Sequence, residues 1–354
     1  MGKKLLKVVA ILLAAAIAIA GAYAAYVFIA YHRLPDTDEK LDLPGPPVSV
    51  GQTYTIVTWN LGFGAYSRDF GFFMDGGTES RARSKDEVLL NLDHAAALLT
   101  SQRADFMLLQ ELDIDATRSH HVDEATYMAE QFPDAQACFA QNYDSPYLFY
   151  PILKPHGAAK SGLLTLSNRS VSRFARIGLP IEGGFMKFLD LDRCYSKAWI
   201  PVDNGRSLVI YNLHLSAYTS DGVITGEQLR LLCDDMLGEY EAGNYVVAGG
   251  DFNKSLGSEF RPPDSTGENY TWAQPLDLND IPEGLNLVAT TDWDDTVYSC
   301  RNADGPYVPG ESFTLTVDGF IVSKNVGVIA PKVVDDDFIC SDHNPVAMSF
   351  TLSE

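Results

Sequence analysis

Several polar residues of this chain lie where an apolar run, typical of a buried β-strand, comes to an end. Asn60 follows the alternating run 53–59, and Glu111 follows the apolar run 106–109 and Gln110. A carboxylate at the mouth of a buried strand must be solvated, paired or bound to a metal. Glu111 is therefore a candidate for chemistry, whereas Asn60 taken alone is more simply a turn residue.

The most informative of these positions is Gly250-Asp251-Phe252-Asn253, which follows the apolar run 245–248. The glycines allow the backbone to turn sharply after a strand. Asp251 and Asn253 are two residues apart, so on an extended chain their side chains point the same way. One carboxylate beside one neutral amide suits the activation of a water molecule while a phosphate oxygen is held.

Other ionisable residues at strand ends have a structural and a functional interpretation. His214 follows the strand predicted over 207–211, and a histidine there is more often structural than catalytic. Asp342 and His343 are compatible with a simple turn before a last strand over 346–352. Asp318 is harder to explain, because it lies inside the run 313–322, predicted as one strand, and an unpaired buried carboxylate is costly.

Taken together, and in this order along the chain, these residues resemble the endonuclease/exonuclease/phosphatase superfamily, which includes pancreatic-type deoxyribonucleases and bacterial sphingomyelinases. The resemblance spans about residues 53 to 352, and six short motifs in the right order are specific where each alone is weak. The matching segments are Thr58-Trp59-Asn60, Gln110-Glu111, Asn212-Leu213-His214-Leu215, Gly250-Asp251-Phe252-Asn253, Val317-Asp318-Gly319-Phe320-Ile321 and Ser341-Asp342-His343.

The resemblance implies an α/β fold, a four-layer sandwich of two packed β-sheets with helices on both outer faces. It also implies Mg²⁺ or Mn²⁺ as the cofactor, which carboxylate and amide oxygens suit because these ions prefer hard oxygen ligands. Carried over to this chain, it makes Glu111, with Asn60 and Asp342, the metal site.

The same resemblance assigns the remaining residues to the chemical step. Asp251 would orient and deprotonate the attacking water, and Asn253 would hold the phosphate or the water. His343 and His214 would donate hydrogen bonds to the phosphate or a proton to the leaving oxygen, and the sequence leaves open which one is the acid. Asp318 would lie behind His343 and fix its tautomer.

Hydrophobic periodicity predicts the helices that must accompany these strands. One helix is predicted to begin at Ser84, whose spacing from Glu87 is that of a capping box. A second is expected over residues 227–240, whose apolar side chains share one face. Helices that alternate with strands in this way pack outside the sheets.

The N-terminus differs from the rest of the chain. Lys3, Lys4 and Lys7 precede an uncharged apolar run from Val8 to about Tyr31, and a membrane span needs about 20 such residues. Acids follow the run, so the positive-inside bias places the N-terminus in the cytoplasm and the bulk of the chain outside. A cleaved signal peptide is the alternative, with a cleavage-like site at residues 22–24. We favour an anchor because the apolar run continues past that site.

We therefore predict three parts: residues 1–33, a basic stub and transmembrane signal anchor; 34–50, a proline-rich acidic linker that is stiff and solvated; and 51–354, the endonuclease/exonuclease/phosphatase domain. We expect a monomer in the cell membrane, with a single pass and an extracellular catalytic domain. Export permits disulfides, but five cysteines without paired spacing do not indicate a pairing.

The net charge of −21 repels nucleic acid and anionic membrane, which disfavours a general role in binding DNA. The long segment after Asn60 is expected to overhang the site, where Arg81 and Arg83 could grip a second phosphate; equally, the phenylalanines of residues 70–73 could simply pack into the core.

The predicted function is that of a membrane-anchored, extracytoplasmic, metal-dependent phosphoesterase. Its substrate would be a small phosphate ester or a phospholipid headgroup. The alternative is an exported non-specific endonuclease that acts on nucleic acid. A non-catalytic binding module is disfavoured, because the acids and histidines of all six motifs are intact.

Overall fold

Two β-sheets lie face to face at the centre of the molecule. The computed structural model describes residues 2–183, 192–217, 223–257, 259–260, 273–288 and 297–354. The seven-stranded sheet has the order β1 (Thr37–Leu43), β6 (Val171–Gly178), β7 (Cys194–Pro201), β8 (Ser207–His214), β9 (Tyr245–Asp251), β14 (Asp318–Ser323), β11 (Leu285–Val288). The six-stranded sheet has the order β15 (Val326–Val333), β16 (Val346–Leu352), β2 (Thr53–Asn60), β3 (Phe106–Ala116), β5 (Gly157–Ser167), β4 (Gln136–Leu148). A small third sheet contains β10 (Glu259–Phe260), β13 (Thr314–Leu315) and β12 (Cys300–Arg301).

Helices cover the outer face of each large sheet. Helices α2 (Lys85–Gln102) and α3 (Glu124–Gln131) pack on the six-stranded sheet, and α4 (Val223–Glu241) packs on the seven-stranded sheet. The N-terminal helix α1 (Gly2–Ala30) precedes these layers. This arrangement confirms the predicted four-layer sandwich.

The largest hydrophobic core fills the space between the two sheets. The six-stranded sheet contributes Ile56 and Leu108, and the seven-stranded sheet contributes Ile210, Val247 and Phe320. All five side chains are almost fully buried. Complete burial of such a side chain stabilises a fold by about 1.5–3 kcal/mol. The core therefore holds the two sheets, and the residues at their ends, in a fixed relation.

Strand pairing brings the ends of several strands to one end of the sandwich. Strands β2 and β3 are parallel, with Asn60 opposite Gln110. Strands β8 and β9 are also parallel, with His214 opposite Asp251. Strand β14 runs antiparallel to β9, so its first residue, Asp318, lies opposite Asp251. The polar residues that follow apolar runs in the sequence thus meet in space.

The predicted helices are present with small differences at their ends. Ser84 caps α2, because its hydroxyl oxygen accepts a hydrogen bond of 3.1 Å from the backbone N–H of Glu87. The Glu87 carboxylate reaches back to the backbone N–H of Arg83, at 3.1 Å, one residue before the position expected in a capping box. Helix α4 begins at Val223, four residues before its predicted start.

The prediction of one strand over residues 313–322 is wrong, because the chain changes sheets within it. Thr314–Leu315 is β13 of the small sheet, and β14 begins at Asp318. Between them, the backbone oxygens of Thr316 and Val317 accept hydrogen bonds from Leu256 and Phe252. Asp318 is therefore the first residue of its strand, where its side chain can reach a site at the end of the sheet.

The predicted solvated linker contains a strand, so the linker prediction is wrong at these residues. Thr37–Leu43 forms β1, which pairs antiparallel with β6, and Asp38 forms an ion pair with Arg173 across the strands. The Arg176 guanidinium also donates to the backbone oxygen of Leu34, at 3.1 Å. Prolines and acids favoured a loop, but an edge strand tolerates both. The domain start at residue 51 stays a prediction.

Among the residues that the structure describes, one helix, α1, is long and apolar enough to cross a membrane. Its C-terminal end packs on the domain, where Val27 is buried. Tyr23 donates a hydrogen bond to the backbone oxygen of Tyr147 (3.1 Å), and the Tyr26 hydroxyl accepts one from the Tyr147 backbone N–H (3.0 Å). The helix is thus tied to the end of strand β4.

The five cysteines are free and buried. None of them therefore forms the disulfide that export would permit. Burial raises the pKa of the Cys138 and Cys233 thiols to about 12, which keeps both protonated and unreactive.

Candidate active site

Two carboxylates, Glu111 and Asp251, are held close together by Asn60. The Asn60 Nδ2 donates to Glu111 Oε1 at 3.0 Å and to Asp251 Oδ2 at 3.1 Å. The Asn60 Oδ1 accepts from the backbone N–H of Gly62 at 3.0 Å, which fixes the orientation of the amide. Asn60 was predicted as a metal ligand; in this arrangement its amide nitrogen orients the two acids, and its oxygen faces away from them.

Glu111 owes its position to a break in the regular course of β3. Its φ is 57°, and the pairing of β3 with β5 shifts register between Leu109 and Leu112. A β-bulge of this kind turns a side chain out of the strand's alternation. Strand β3 then continues to Ala116, so the expectation that the strand ends at Gln110-Glu111 is wrong. The left-handed backbone costs about 1–3 kcal/mol, which the surrounding sheet supplies.

Asp251 and Asn253 form a tight local structure after β9. The backbone N–H of Asn253 donates to Asp251 Oδ1 at 2.8 Å, and Asn253 has a φ of 49°. The Asn253 Nδ2 donates to the backbone oxygen of Leu215 at 2.8 Å. This turn fixes both carboxylate oxygens of Asp251, one by Asn253 and one by Asn60.

His343 is paired with Asp318, as the sequence predicts. The His343 Nδ1 lies 2.8 Å from Asp318 Oδ2, which also accepts from the Ser299 hydroxyl at 2.7 Å. The other ring nitrogen, Nε2, lies 3.9 Å from Asp251 Oδ2 and 3.6 Å from the Cys300 sulfur. Burial lowers the pKa of His343, but the charge and hydrogen bond of Asp318, together with those of Cys300, oppose burial and hold that pKa well above its ordinary value.

His214 approaches the same carboxylates from the other side. Its Nε2 lies 3.5 Å from Asp251 Oδ2 and 3.9 Å from Glu111 Oε1. Burial and the nearby positive charges of Arg193 and His343 hold the pKa of His214 well below its ordinary value. The two shifts have opposite signs, so the site favours the protonated form of His343 and the neutral form of His214.

Burial also shifts the acids of the site. Burial and the Asp318 carboxylate together raise the pKa of Asp251 to about 7. Burial raises the pKa of Asp342 as well, although His343 and Arg301 oppose this effect. Perturbed acids and bases concentrated in one place are typical of catalytic sites.

The residues of this site fit a divalent cation. Glu111, Asp251 and Asp342 offer hard oxygen donors to one cavity, and the buried Asp318 Oδ1 has no hydrogen-bond partner among the described residues. Asp251, Asp318 and His343 also lie within ligand distance of one another. The hydrogen bond between His343 and Asp318 already accounts for the proximity of these three side chains, so the proximity alone does not indicate a metal. Whether Asn60, Glu111 and Asp342 are the metal ligands stays a prediction.

A cavity of about 940 Å³ opens onto these residues. Asn60 and Asp318 lie behind the cavity wall and bond to residues that line it. The other predicted site residues line the cavity itself and form what we call the floor: Glu111, His214, Asp251, Asn253, Asp342 and His343.

The outer part of the cavity is apolar. Five side chains from two loops form what we call the rim: Phe72, Phe73, Met74, Phe149 and Tyr150. The segment after Asn60 thus overhangs the site, as predicted. Its Phe70 is nevertheless buried in the core, which agrees with the alternative that phenylalanines of residues 70–73 pack there. Arg83 binds Asp69 and Glu79, so the structure pairs it with acids and not with a substrate site.

Besides Arg193, which is buried and lines the cavity, two further buried arginines near the floor were missed from the sequence. Arg118 pairs with Asp113 at 2.8 Å and stacks 4.0 Å from the Phe63 ring centroid. Arg301 is 1% exposed, donates to backbone oxygens, and lowers the pKa of Asp342 through its charge. Both line the cavity. Neither stands in a motif or periodic segment, so the sequence offers no signal that separates them from surface arginines.

The comparisons with known proteins agree with this geometry. The family model described as Endonuclease/Exonuclease/phosphatase family matches residues 57–343 of the chain. The chain belongs to this family. The match spans all eight predicted site residues and confirms the resemblance seen in the sequence. As a family member, the protein is a phosphoesterase by class.

Solved structures with the same fold include several family members, all under 20% identical, so their likeness shows the fold alone. An endonuclease/exonuclease/phosphatase from Beutenbergia cavernae is 19% identical, with a TM-score of 0.56, covering 85% of this chain and 72% of that one. ANGEL2, a 2',3'-cyclic phosphatase, is 14% identical, with a TM-score of 0.56, covering 91% and 100%. D. rerio TDP2 complexed with single strand DNA product is 14% identical, with a TM-score of 0.54, covering 85% and 99%. No curated protein matches the sequence.

Proposed function

We propose that this protein is a membrane-anchored phosphoesterase that uses Mg²⁺ or Mn²⁺ to hydrolyse phosphate esters outside the cytoplasm. One observation carries the proposal: Asn60 holds the Glu111 and Asp251 carboxylates together on the floor of a cavity, where His343 Nε2 lies 3.9 Å from Asp251 Oδ2. Family membership supports the hydrolysis of phosphate esters. The buried oxygen donors support a hard divalent cation.

The cation and the acids have separate tasks in this proposal. A bound divalent cation neutralises charge that develops on a phosphate oxygen. Glu111 and Asp342 would hold it, and Asn60 would keep Glu111 in place. Burial raises the pKa of Asp342, and a cation held beside it would oppose this shift and favour the ionised form.

Asp251 is the proposed base. Its pKa of about 7 suits a group that must accept a proton from water near neutral pH. Hydrogen bonds from Asn60 and from the backbone of Asn253 fix the direction of its carboxylate. The water is therefore oriented towards the phosphorus before it reacts.

His343 is the proposed acid, since its charged form is the stable one. The water oxygen bonds to phosphorus, the ester P–O bond breaks, and the leaving oxygen takes the proton from His343 Nε2. A phosphodiester thus yields a phosphomonoester and an alcohol, and the proton of the water goes to Asp251. Asp318 positions His343, while the neutral His214 donates a hydrogen bond to the phosphate.

Helix α1 supports a location in the membrane. Three lysines precede its apolar run and acids follow it, so the positive-inside bias places the catalytic domain outside. The net charge of −21 favours small phosphate esters or lipid headgroups over nucleic acid as substrates. ANGEL2, a 2',3'-cyclic phosphatase whose structure contains adenosine-2',3'-vanadate, supports small phosphate esters as substrates compatible with this fold.

An exported non-specific endonuclease is the second candidate function. The structure of D. rerio TDP2 complexed with single strand DNA product supports it, because this fold is compatible with a nucleic-acid strand. The acidic chain opposes it, since binding to DNA relies on positive charge against phosphates.

A substrate panel tests the proposal with the full chain in detergent micelles. A soluble phosphodiester, a phosphomonoester, phospholipid micelles and plasmid DNA are each incubated with Mg²⁺, Mn²⁺ or EDTA. We expect metal-dependent hydrolysis of an ester or lipid, reduced at least ~10²-fold in Glu111→Gln. The matched control is Glu239→Gln, a carboxylate on α4 that binds Lys197. DNA nicking without ester hydrolysis would favour the nuclease, and activity in EDTA would contradict the role of the cation.

A further inference from the structure

A short loop beside the cavity exposes an unusual amount of apolar surface. Phe149, Tyr150, Ile152 and Leu153 are 57%, 67%, 83% and 98% exposed. Each Å² of apolar surface left in water costs about 25 cal/mol. A contiguous patch of this kind marks a surface that meets a partner or a membrane. We call residues 149–153 the apolar loop.

The apolar loop is attached to helix α1. The Phe149 ring packs edge-on against Tyr23, with 5.3 Å between ring centroids. Just before the loop, Tyr147 exchanges hydrogen bonds with the hydroxyls of Tyr23 and Tyr26. The loop therefore lies at the same height along α1 as these two tyrosines.

With α1 as the proposed membrane anchor, that height corresponds to the outer boundary of a bilayer. A helix rises about 1.5 Å per residue, so a span of about 30 Å that begins at Val8 ends near Val27. Tyr23 and Tyr26 then lie within about 6 Å of the boundary, where tyrosines are enriched at the headgroup level. The apolar loop shares this level, and its tip reaches further out from the domain surface.

The cavity reaches this level and continues along α1 for about 10 Å towards the bilayer interior, as far as Ala20. Ala20, Tyr23, Ala24 and Val27 of α1 line it, together with Asp251 and the rest of the floor. One continuous cavity therefore joins the membrane-spanning helix to the catalytic residues. Its outer part is apolar and its floor is polar, which matches a molecule with an apolar body and a phosphate.

We propose that the apolar loop inserts into the outer leaflet and that the cavity takes the phosphodiester of a bilayer phospholipid as its substrate. This inference rests on the proposed phosphoesterase function and adds where the substrate comes from. Lipid is the occupant we infer for the loop, rather than a second protein chain, because α1 already places the loop at the bilayer surface. Lys154 directly follows the loop and suits anionic headgroups.

The depth of the loop is tested without reference to activity. The native cysteines are buried, so Leu153→Cys adds one accessible thiol for an environment-sensitive fluorophore. The labelled full chain is reconstituted in vesicles of phosphatidylcholine and phosphatidylglycerol in equal amounts. We expect blue-shifted emission that lipids with a doxyl group on the acyl chain quench. Leu90→Cys, at a leucine 68% exposed on α2, is the control and stays unquenched. An unquenched label at position 153 overturns the proposal.

The substrate is tested by a ratio of two activities. The double variant Ile152→Glu/Leu153→Glu keeps α1 as its anchor, so it stays on the vesicle. We expect hydrolysis of vesicle phospholipid, followed by ³¹P NMR, to fall on the order of 10-fold, because the charged loop no longer inserts. Hydrolysis of soluble bis(p-nitrophenyl) phosphate stays within about 2-fold, because the floor is unchanged. The control Leu90→Glu/Leu278→Glu places two charges on leucines 68% and 67% exposed, and keeps both activities.

The two proposals fail in different ways. Hydrolysis of the soluble phosphodiester without any hydrolysis of vesicle phospholipid overturns this inference and leaves the phosphoesterase function standing. An equal loss of both activities in the double variant also overturns the lipid inference. The two substitutions would then have disturbed the fold, and not the contact between loop and lipid. Absence of metal-dependent hydrolysis of either substrate contradicts the proposed function itself, and the quenching result still decides where the loop lies. Association of two copies through the loop, seen by cross-linking at Leu153→Cys, would replace the lipid by a second chain.

Discussion

The floor and the rim of the cavity are built in opposite ways. The floor consists of polar side chains that are largely buried and lie on β3, at the ends of β8 and β9, and just before β16. The rim consists of apolar side chains on loops, and Met74, Phe149 and Tyr150 are more than half exposed. A sheet fixes the atoms that react, while loops can vary the molecules that reach them. The floor therefore indicates the reaction, and the rim indicates the substrate.

The largest effect is expected on the floor. His343→Ala removes the proposed acid, and we expect kcat to fall at least ~10²-fold on every ester that the wild type hydrolyses. The control is His94→Ala, which removes a histidine paired with Asp336 at 2.8 Å outside the cavity. Steady-state kinetics with soluble and lipid substrates measure both variants. A loss confined to one substrate would contradict the role of His343 as the acid and would indicate a role in substrate selection.

A smaller loss is expected behind the floor. Asp318→Asn keeps the shape of the side chain but removes the charge that raises the pKa of His343, so kcat falls about 10–100-fold. Because His343 acts in its charged form, activity declines as pH rises through its pKa, and the variant moves this decline to lower pH. The pH profile of kcat measures the shift. Asp336→Asn is the control, and an unchanged profile in Asp318→Asn would exclude this role.

Where floor and rim meet, an effect on stability is expected. His156 lies among Phe63, Phe72 and Phe73, and burial lowers its pKa to about 4. As pH falls below 6.5, His156 is protonated in the unfolded chain before it is protonated in the folded protein. The free energy of unfolding therefore drops by about 2 kcal/mol between pH 7 and pH 5. His156→Gln, which keeps a donor for the Ser80 backbone oxygen, removes this contribution. Denaturant unfolding at both pH values, with wild type beside it, should show a smaller drop in the variant.

The smallest effect is expected on the rim. Met74→Ser changes an apolar side chain that lines the cavity and is 65% exposed. We expect kcat/KM for a soluble ester to stay within about 2-fold, because no floor residue contacts the solvent-exposed part of this side chain. The same variant should lower kcat/KM for a lipid ester by a larger factor. Equal losses for the two substrates would remove the distinction between rim and floor.

The site residues were predicted through the resemblance of six ordered motifs to the family, and several of these residues also follow strong strand signals. Asn60, His214 and Asp251 end apolar runs, and parallel pairing then brings such ends together. Asp318 was predicted to pair with His343, and the structure places these side chains 2.8 Å apart. The alternation of helices with strands indicated helices outside the sheets, and the resemblance to the family implied the four layers.

Features that depend on tertiary contacts were not predictable. The bulge at Glu111 requires the register shift against β5, which no local pattern announces. Strand β1 forms in a proline-rich acidic segment because β6 offers an open edge. The orientation of the Asn60 amide depends on the Gly62 N–H, and the contribution of α1 to the cavity depends on how the helix packs on the domain.

The turnover of Asp251→Asn tests the proposed phosphoesterase mechanism most directly. The full chain and this variant are compared with Asp105→Asn, a matched change at the opposite end of β3, where Asp105 binds Arg169. Hydrolysis of bis(p-nitrophenyl) phosphate is measured with Mg²⁺ and with EDTA, and tryptophan fluorescence confirms that each protein is folded. If Asp251 is the base, Asp251→Asn loses at least ~10²-fold in kcat while Asp105→Asn keeps its turnover. Near-wild-type, metal-dependent turnover by folded Asp251→Asn would contradict this role.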